Sequence, residues 1–427
     1  MPPQQRVFLL LQGPHGPFFD RLGRLLRSAG SQVWRVGFNA GDEFFWSDRD
    51  RFIRHAGDTA SWPAHLDSLI TRLGVTDLVI YGDVRPVHAA ARDAAALHGL
   101  VLHVFEEGYL RPYWISYERG GSNGYSDLMD ITLPQMRAAL RGHESQLSRP
   151  PAHWGDMRHH KFYGALYHFM VLAANRRYPL FRTHRDVGVR QEFMLHLRKL
   201  LLSPAFMLSR WAAVRAIRRG GFPYVLGLLQ LEHDASFIAH SDYKRMRDFT
   251  DEVLRAFADA APPHHHIVFK AHPLEDGRGK VRDAIAETAA TLGVSDRVHV
   301  VHGGKLARLL AQARSVVTVN STSAQQALWR GIPVRAMGRA VFDKPQLVSR
   351  QSLEEFLRHP DRPNTRAYRD YRDYLLETSQ VPGGFYAARS RAHALRVAVD
   401  LMLAPDNPYS ALASGRGAHR QQIGSDA

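Results

Sequence analysis

Two stretches of this chain alternate short apolar runs with amphipathic helical runs, and no other feature restricts its fold as strongly. In the first stretch Arg6–Gln12 reads as a buried strand, followed by a Gly/Pro loop and a helix from about Phe18 to Ala29. Gln32–Asn39, Asp77–Tyr81 and Leu100–Phe105 read as further strands, with a helix over about Pro86–His98. The alternation stops near Gly142 and resumes near Tyr224. Strands are then expected at Tyr224–Gln230, Ile267–Lys270, Arg297–His302, Ser315–Asn320 and Ile332–Met337, with helices between them. Strands separated by helices build parallel, doubly wound α/β sheets. Such sheets bind ligands beyond the carboxyl ends of their strands. The expected architecture is two Rossmann-type lobes with a cleft between them and a basic helical insertion.

The 427 residues exceed one ordinary core and suit two domains of about 150–200 residues each. We expect an N-terminal Rossmann-like lobe over 1–145 and a basic helical connecting segment over 146–222. A C-terminal Rossmann-like lobe over 223–404 and a disordered tail over 405–427 complete the chain. The absence of cysteine excludes disulfides, thiolate catalysis and cysteine-ligated metal sites. The apolar run Val7–Leu11 is too short for a leader or a span, and Phe162–Asn175 is interrupted by His168, so no membrane crossing is expected.

A formal charge of +15 calls for acidic partners. Much of it lies in 149–221, where Asp156, Asp186 and Glu192 are the only acids and aromatic residues interleave with Arg and Lys. Basic helices with aromatic and Leu/Met faces suit an anionic lipid surface. A packed interdomain segment with a solvated basic face would show the same composition. Nucleic acid is not the expected partner, because no recognition motif accompanies the charge.

The polar candidates fall at strand ends. Glu106-Glu107-Gly108-Tyr109-Leu110-Arg111-Pro112 follows Leu100–Phe105 and sets two carboxylates and an Arg where a crevice would lie. Adjacent residues of a strand face opposite sides, so only one acid is expected to point each way. Lys270-Ala271-His272-Pro273 ends another strand, with Lys270 and His272 on one face, a pair suited to phosphate. Asn320-Ser321-Thr322-Ser323 opens a helix, so its hydroxyls and N–H groups either cradle an anion or simply cap the helix. Gln230 and Asp234 close a further strand. His264-His265-His266 cannot converge on one ion from an alternating strand, and Asp48-Arg49-Asp50 follows no buried strand. No metal and no cofactor is expected.

Gln12-Gly13-Pro14, Phe38-Asn39-Ala40-Gly41-Asp42, Glu106–Pro112, Lys270–Pro273, Asn320–Ala324 and Gly331-Ile332-Pro333-Val334 occur in that order. Together they resemble the capsule polysaccharide biosynthesis and export family of the KpsS/LipB type, over about residues 6–400. The resemblance implies a GT-B glycosyltransferase arrangement, with 1–145 the acceptor and catalytic lobe and 223–404 the nucleotide-sugar lobe, and metal-independent transfer of 3-deoxy-D-manno-oct-2-ulosonic acid (Kdo) from CMP-Kdo, with retention. The implied acceptor is a (lyso)phosphatidylglycerol-type lipid on which the poly-Kdo linker of a capsule begins. It also implies Glu107, then Glu106, as the catalytic carboxylates, and Lys270, His272, Pro273, Asn320, Ser321, Thr322 and Ser323 around the nucleotide sugar. Gln12, Asn39, Arg111, Gln230 and Asp234 would line the substrates, with Arg111 pairing with the donor carboxylate. The implied location is cytoplasmic, peripheral on the inner face of the inner membrane, beside other capsule assembly proteins. The competing expectation is a non-catalytic membrane adaptor of the capsule assembly and export machinery.

Overall fold

The computed structural model describes residues 5–112, 114–143, 157–181, 194, 203–232, 234–272, 275 and 280–415. They divide into two compact units. The first is drawn from Met1–Asp127, Pro134–Phe193 and Arg372–Ala427, the second from Leu128–Leu133 and Met194–Tyr371.

The first unit holds a seven-stranded sheet in the order β12-β6-β5-β4-β1-β2-β3. Its strands are β1 (Val7–Leu10), β2 (Gln32–Gly37), β3 (Phe52–Arg54), β4 (Asp77–Tyr81), β5 (Val101–Glu107), β6 (Trp114–Arg119) and, far along the chain, β12 (Gln380–Pro382). β1 to β5 are parallel, β6 runs against β5, and β12 runs against β6. The strand order turns back between β1 and β4, which sets a crevice beyond their carboxyl ends. Every residue of β1 is buried, as befits a parallel strand covered on both faces. Phe8 and Leu10 join one core with Phe18, Phe19, Trp46 and Phe105, while Leu9 and Leu11 join another with Trp62, Ile80 and Val104.

The helices α1 (Phe18–Ser28), α2 (Ala40–Phe44), α3 (Trp62–Leu73), α4 (Pro86–His98), α5 (Leu133–Ala139) and α6 (Met157–Ala174) follow in chain order. The helix Ala388–Leu403 covers the Phe8/Leu10 face through Ala394, Leu395, Ala398 and Leu401. Arg6 donates to the carbonyl of Met402 at 2.6 Å and Arg119 to those of Leu401 and Ala404 at 2.8 and 2.6 Å, so cations close the helix's carboxyl end.

The second unit holds a five-stranded, wholly parallel sheet in the order β11-β10-β7-β8-β9. These are β7 (Tyr224–Leu228), β8 (His266–Ala271), β9 (Val298–His302), β10 (Ala313–Thr318) and β11 (Val334–Ala336). Here the order turns back between β7 and β10.

The α/β class, the parallel second sheet and the parallel run β1–β5 of the first agree with the sequence pattern, whereas β6 and β12 add an antiparallel edge to the first sheet. Three elements differ from that pattern. The chain rejoins the first unit at Arg372, rather than staying in the second lobe to 404, because β12 and the helix Ala388–Leu403 complete the first sheet and its core. The basic stretch is shared: α6 belongs to the first unit and the helix Ser203–Gly220 to the second. The supposed tail contains the helix Pro408–Ala413, capped by Asn407 and anchored by buried Tyr409 and Leu412; residues 416–427 lie outside the described residues. Among the described residues, no helix is long and apolar enough to cross a membrane.

Candidate active site

Alternation along β5 settles where its two acids point. Val104 packs in one core and Phe105 in the other, so Glu106 and Glu107 leave opposite faces of the sheet. Glu106 turns back to accept the Glu107 N–H at 3.0 Å. Its other oxygen lies over Gly82, just past β4, where a Cβ would come within 2.8 Å of it; Gly82 has φ +67°. Burial pushes the Glu106 carboxyl up to about 7 and the neighbouring Glu107 adds to this, while the Glu107 N–H, Arg111 and Arg85 pull it down.

Glu107 accepts from the Tyr81 hydroxyl at 3.3 Å. The Tyr81 ring meets Phe385, and Tyr386 meets His160 with ring centroids 4.6 Å apart. Burial raises both tyrosine hydroxyls, and the charge of Glu107 raises them further, so they remain donors at neutral pH. Arg111 is exposed, and its Nε donates to the Gly108 carbonyl at 3.2 Å.

Gln12 and Asn39, beyond the ends of β1 and β2, meet at one phenol. The Tyr167 hydroxyl of α6 accepts from Gln12 Nε2 at 3.0 Å and from Asn39 Nδ2 at 2.7 Å, and donates to Asp42 at 3.2 Å. Asn39 also caps α2 by accepting from the Asp42 N–H. Burial raises the Asp42 carboxyl, against the pull of Arg35, whose guanidinium lies 3.6 Å away. Arg85 extends the network to Gln12 Oε1 at 3.5 Å. The side chains of Gln12 and Asn39 are thus engaged in holding α2 and α6 at the crevice rim.

In the second unit, Gln230 and Asn320 follow β7 and β10 at the point where the strand order turns back. Gln230 Nε2 donates to Asn320 Oδ1 at 2.8 Å, and the Asn320 N–H donates to Gln230 Oε1 at 3.1 Å. Asn320 Nδ2 donates to the carbonyls of Ser236 and His240. Asp234 caps the short helix Ala235–Ala239 through the Ser236 N–H. Ser321 and Ser323 share a 2.7 Å hydrogen bond across the turn that carries Thr322 into the helix Gln325–Leu328. Lys270 is only 8% exposed near the end of β8, on the strand face opposite Phe269, and half-buried His272 follows two residues on. Pro273 lies outside the described residues.

Gly82, Tyr81, Tyr386 and Tyr167 had no signal as site residues in the sequence. Asp42 did, as the acid three residues after Asn39, a spacing typical of a capped first turn. Another buried acid, Glu118 on β6, accepts from Tyr109 at 2.5 Å, from Tyr409 at 2.6 Å and from Ser126, and burial raises its carboxyl to about 7.

The family model for "Capsule polysaccharide biosynthesis protein" matches residues 76–386. The chain is 30% identical over 387 residues to the capsule polysaccharide export protein KpsS of Escherichia coli, covering 89% of this chain and 97% of that one. It is 31% identical over 389 residues to the capsule polysaccharide modification protein LipB of Neisseria meningitidis, covering 89% and 91%. Among solved structures it matches the beta Kdo 2,7 transferase KpsC of Thermosulfurimonas dismutans with a TM-score of 0.37 and 13% identity, over 86% of this chain and 99% of that one. The chain belongs to the capsule polysaccharide biosynthesis family.

Proposed function

We propose that this member of the capsule polysaccharide biosynthesis family is a GT-B-type glycosyltransferase that transfers Kdo from CMP-Kdo, with retention, to a (lyso)phosphatidylglycerol-type lipid. The observation that carries the reading is the carboxylate pair at the end of β5, with Glu106 raised to about 7. Two acids set in different surroundings suit two chemical roles. Glu107 attacks the anomeric carbon as the bond from that carbon to the CMP phosphate oxygen breaks, and the electron pair leaves with CMP. The acceptor hydroxyl then displaces Glu107 from the same carbon, and its proton passes to the Glu106 carboxylate. Lys270, His272 and the Ser321–Ser323 turn meet the charge that develops on CMP. Arg111 pairs with the donor's carboxylate. Acting on a lipid, the protein works as a peripheral protein at the inner face of the inner membrane, beside other capsule assembly proteins.

The test is incubation of the purified protein with CMP-Kdo and a fluorescent phosphatidylglycerol, with the product weighed by mass spectrometry. A lipid heavier by Kdo residues, with matching release of CMP, is expected. An unchanged lipid and no CMP would leave the non-catalytic adaptor as the better reading.

A further inference from the structure

We propose that a pocket at the carboxyl end of edge strand β3, in the first unit, binds the phosphate of an organic phosphate ester. Three guanidiniums gather there around one carboxylate. Arg54 and Arg177 each reach Glu43 Oε1 at 3.1 Å, and Arg49 stands 4.0 Å from it while donating to the Glu43 carbonyl at 2.6 Å. The Tyr178 hydroxyl takes the other oxygen at 3.0 Å. With three cations facing one anion, the site keeps an excess of positive charge. Each guanidinium carries five N–H donors, more than Glu43 can accept, and planar forks of this kind match phosphate oxygens.

The shape supports the same reading. Glu43, Arg49, Phe52, Arg54 and Arg177 line a concavity of about 580 Å³. Glu43 sits deep, with 18% of its side chain exposed, whereas the side chains of Arg54, Arg49 and Arg177 are 37%, 56% and 68% exposed. Phe52 lies flush on Gly37, where a Cβ would come within 2.1 Å of its ring, and gives the pocket an aromatic wall. Charged groups outside and a ring within suit a phosphate bonded to carbon.

The cations are fixed by separate elements: Arg54 by β3, Arg49 by the turn before it, and Arg177 by the turn Asn175–Arg177 after α6. That turn is tied to α2 by the Ala40 N–H donating to Asn175 at 2.9 Å. α6 also exposes Phe162, Phe169 and Leu172 along one helical face, which favours a lipid headgroup over a soluble ester as the source. In that use, seating the acceptor's phosphate, the pocket rests on the function proposed above; its capacity to bind does not.

The full chain is tested at low salt with two probes, soluble glycerol 3-phosphate and phosphatidylcholine vesicles with or without phosphatidylglycerol. The paired variant Arg54→Gln/Arg177→Gln should bind about tenfold or more weakly, as expected for lost charge-assisted bonds. Weakening toward both probes assigns the site to the phosphate ester itself. Weakening toward phosphatidylglycerol vesicles alone assigns it to a headgroup held in a bilayer. Equal binding by wild type and variant, or no binding of either probe by the wild type, overturns the proposal. If the paired variant does not fold, Arg49→Gln carries the same test: weaker binding supports the site and unchanged binding overturns it. CMP release by the wild type is measured separately, so a failed donor reaction counts against the proposed function and leaves the binding result standing.

Discussion

Gly82 and Glu106 touch across the ends of neighbouring strands: a Cβ at position 82 would stand 2.8 Å from a Glu106 carboxylate oxygen. The carboxylate occupies the space that any larger residue would need. Gly82 also has φ +67°, a conformation that costs other residues about 1–2 kcal/mol.

Gly82→Ala should therefore act twice. The backbone strain lowers the urea midpoint modestly, and displacement of Glu106 should slow transfer by roughly 10²-fold, the scale of an ångström-sized misplacement. A variant with the wild-type rate would show that Glu106 needs no such seat.

The Glu106 carboxyl near 7 predicts two pH effects. Its folded value lies above the ordinary carboxyl value, so the folded state holds the proton more tightly. Its contribution to stability is present below the ordinary value and is lost as pH rises toward 7, then stays flat. If Glu106 accepts the acceptor's proton, the transfer rate should rise through the same pH 7 region. Glu106→Gln should remove this inflection from the rate profile and lessen it in the stability profile, where Glu118, also raised to about 7, titrates over the same range. An unaltered rate profile in Glu106→Gln would assign the inflection to another group.

The opposite facing of Glu106 and Glu107 was legible in the sequence, because a run such as Val104-Phe105-Glu106-Glu107 alternates once it is known to be a strand. Glu106's nearness to Gly82 was not, since it depends on the register that pairs β4 with β5. In the sequence Tyr167 is one aromatic residue of a basic segment, and nothing local ties it to Asp42, 125 positions away. Gln230 and Asn320 are legible as residues beyond strand ends, but their mutual amide pairing arises only when β7 and β10 become neighbours. The three residues of β12 carry too little periodicity to be read as a strand, so the return of the chain to the first sheet is hidden in the sequence.

Glu118 is expected to matter for stability. Glu118→Ala removes the acceptor shared by Tyr109, Ser126 and Tyr409 and should cost about 3 kcal/mol or more by urea unfolding. Tyr409→Phe, which removes one donor, should cost about 1 kcal/mol. A Glu118→Ala variant as stable as the wild type would show that this cluster adds nothing to the fold.

His272→Ala should lower the rate of CMP release by about 10²-fold, as loss of a donor to developing charge does, with the fold intact by circular dichroism. Near wild-type release would move the nucleotide phosphate away from the end of β8.

In the proposed reaction the acids ending β5 perform the transfer, with Glu107 as the nucleophile. Glu107→Gln keeps the side chain's size and an acceptor for Tyr81 but removes its nucleophilicity. The direct measurement is single-turnover release of CMP from CMP-Kdo by wild type, Glu106→Gln and Glu107→Gln, with CMP binding measured alongside by calorimetry. Glu107→Gln should bind CMP normally yet lose several orders of magnitude in turnover. Turnover retained in both glutamine variants would contradict this assignment, and Asp234 would be the next acid to test.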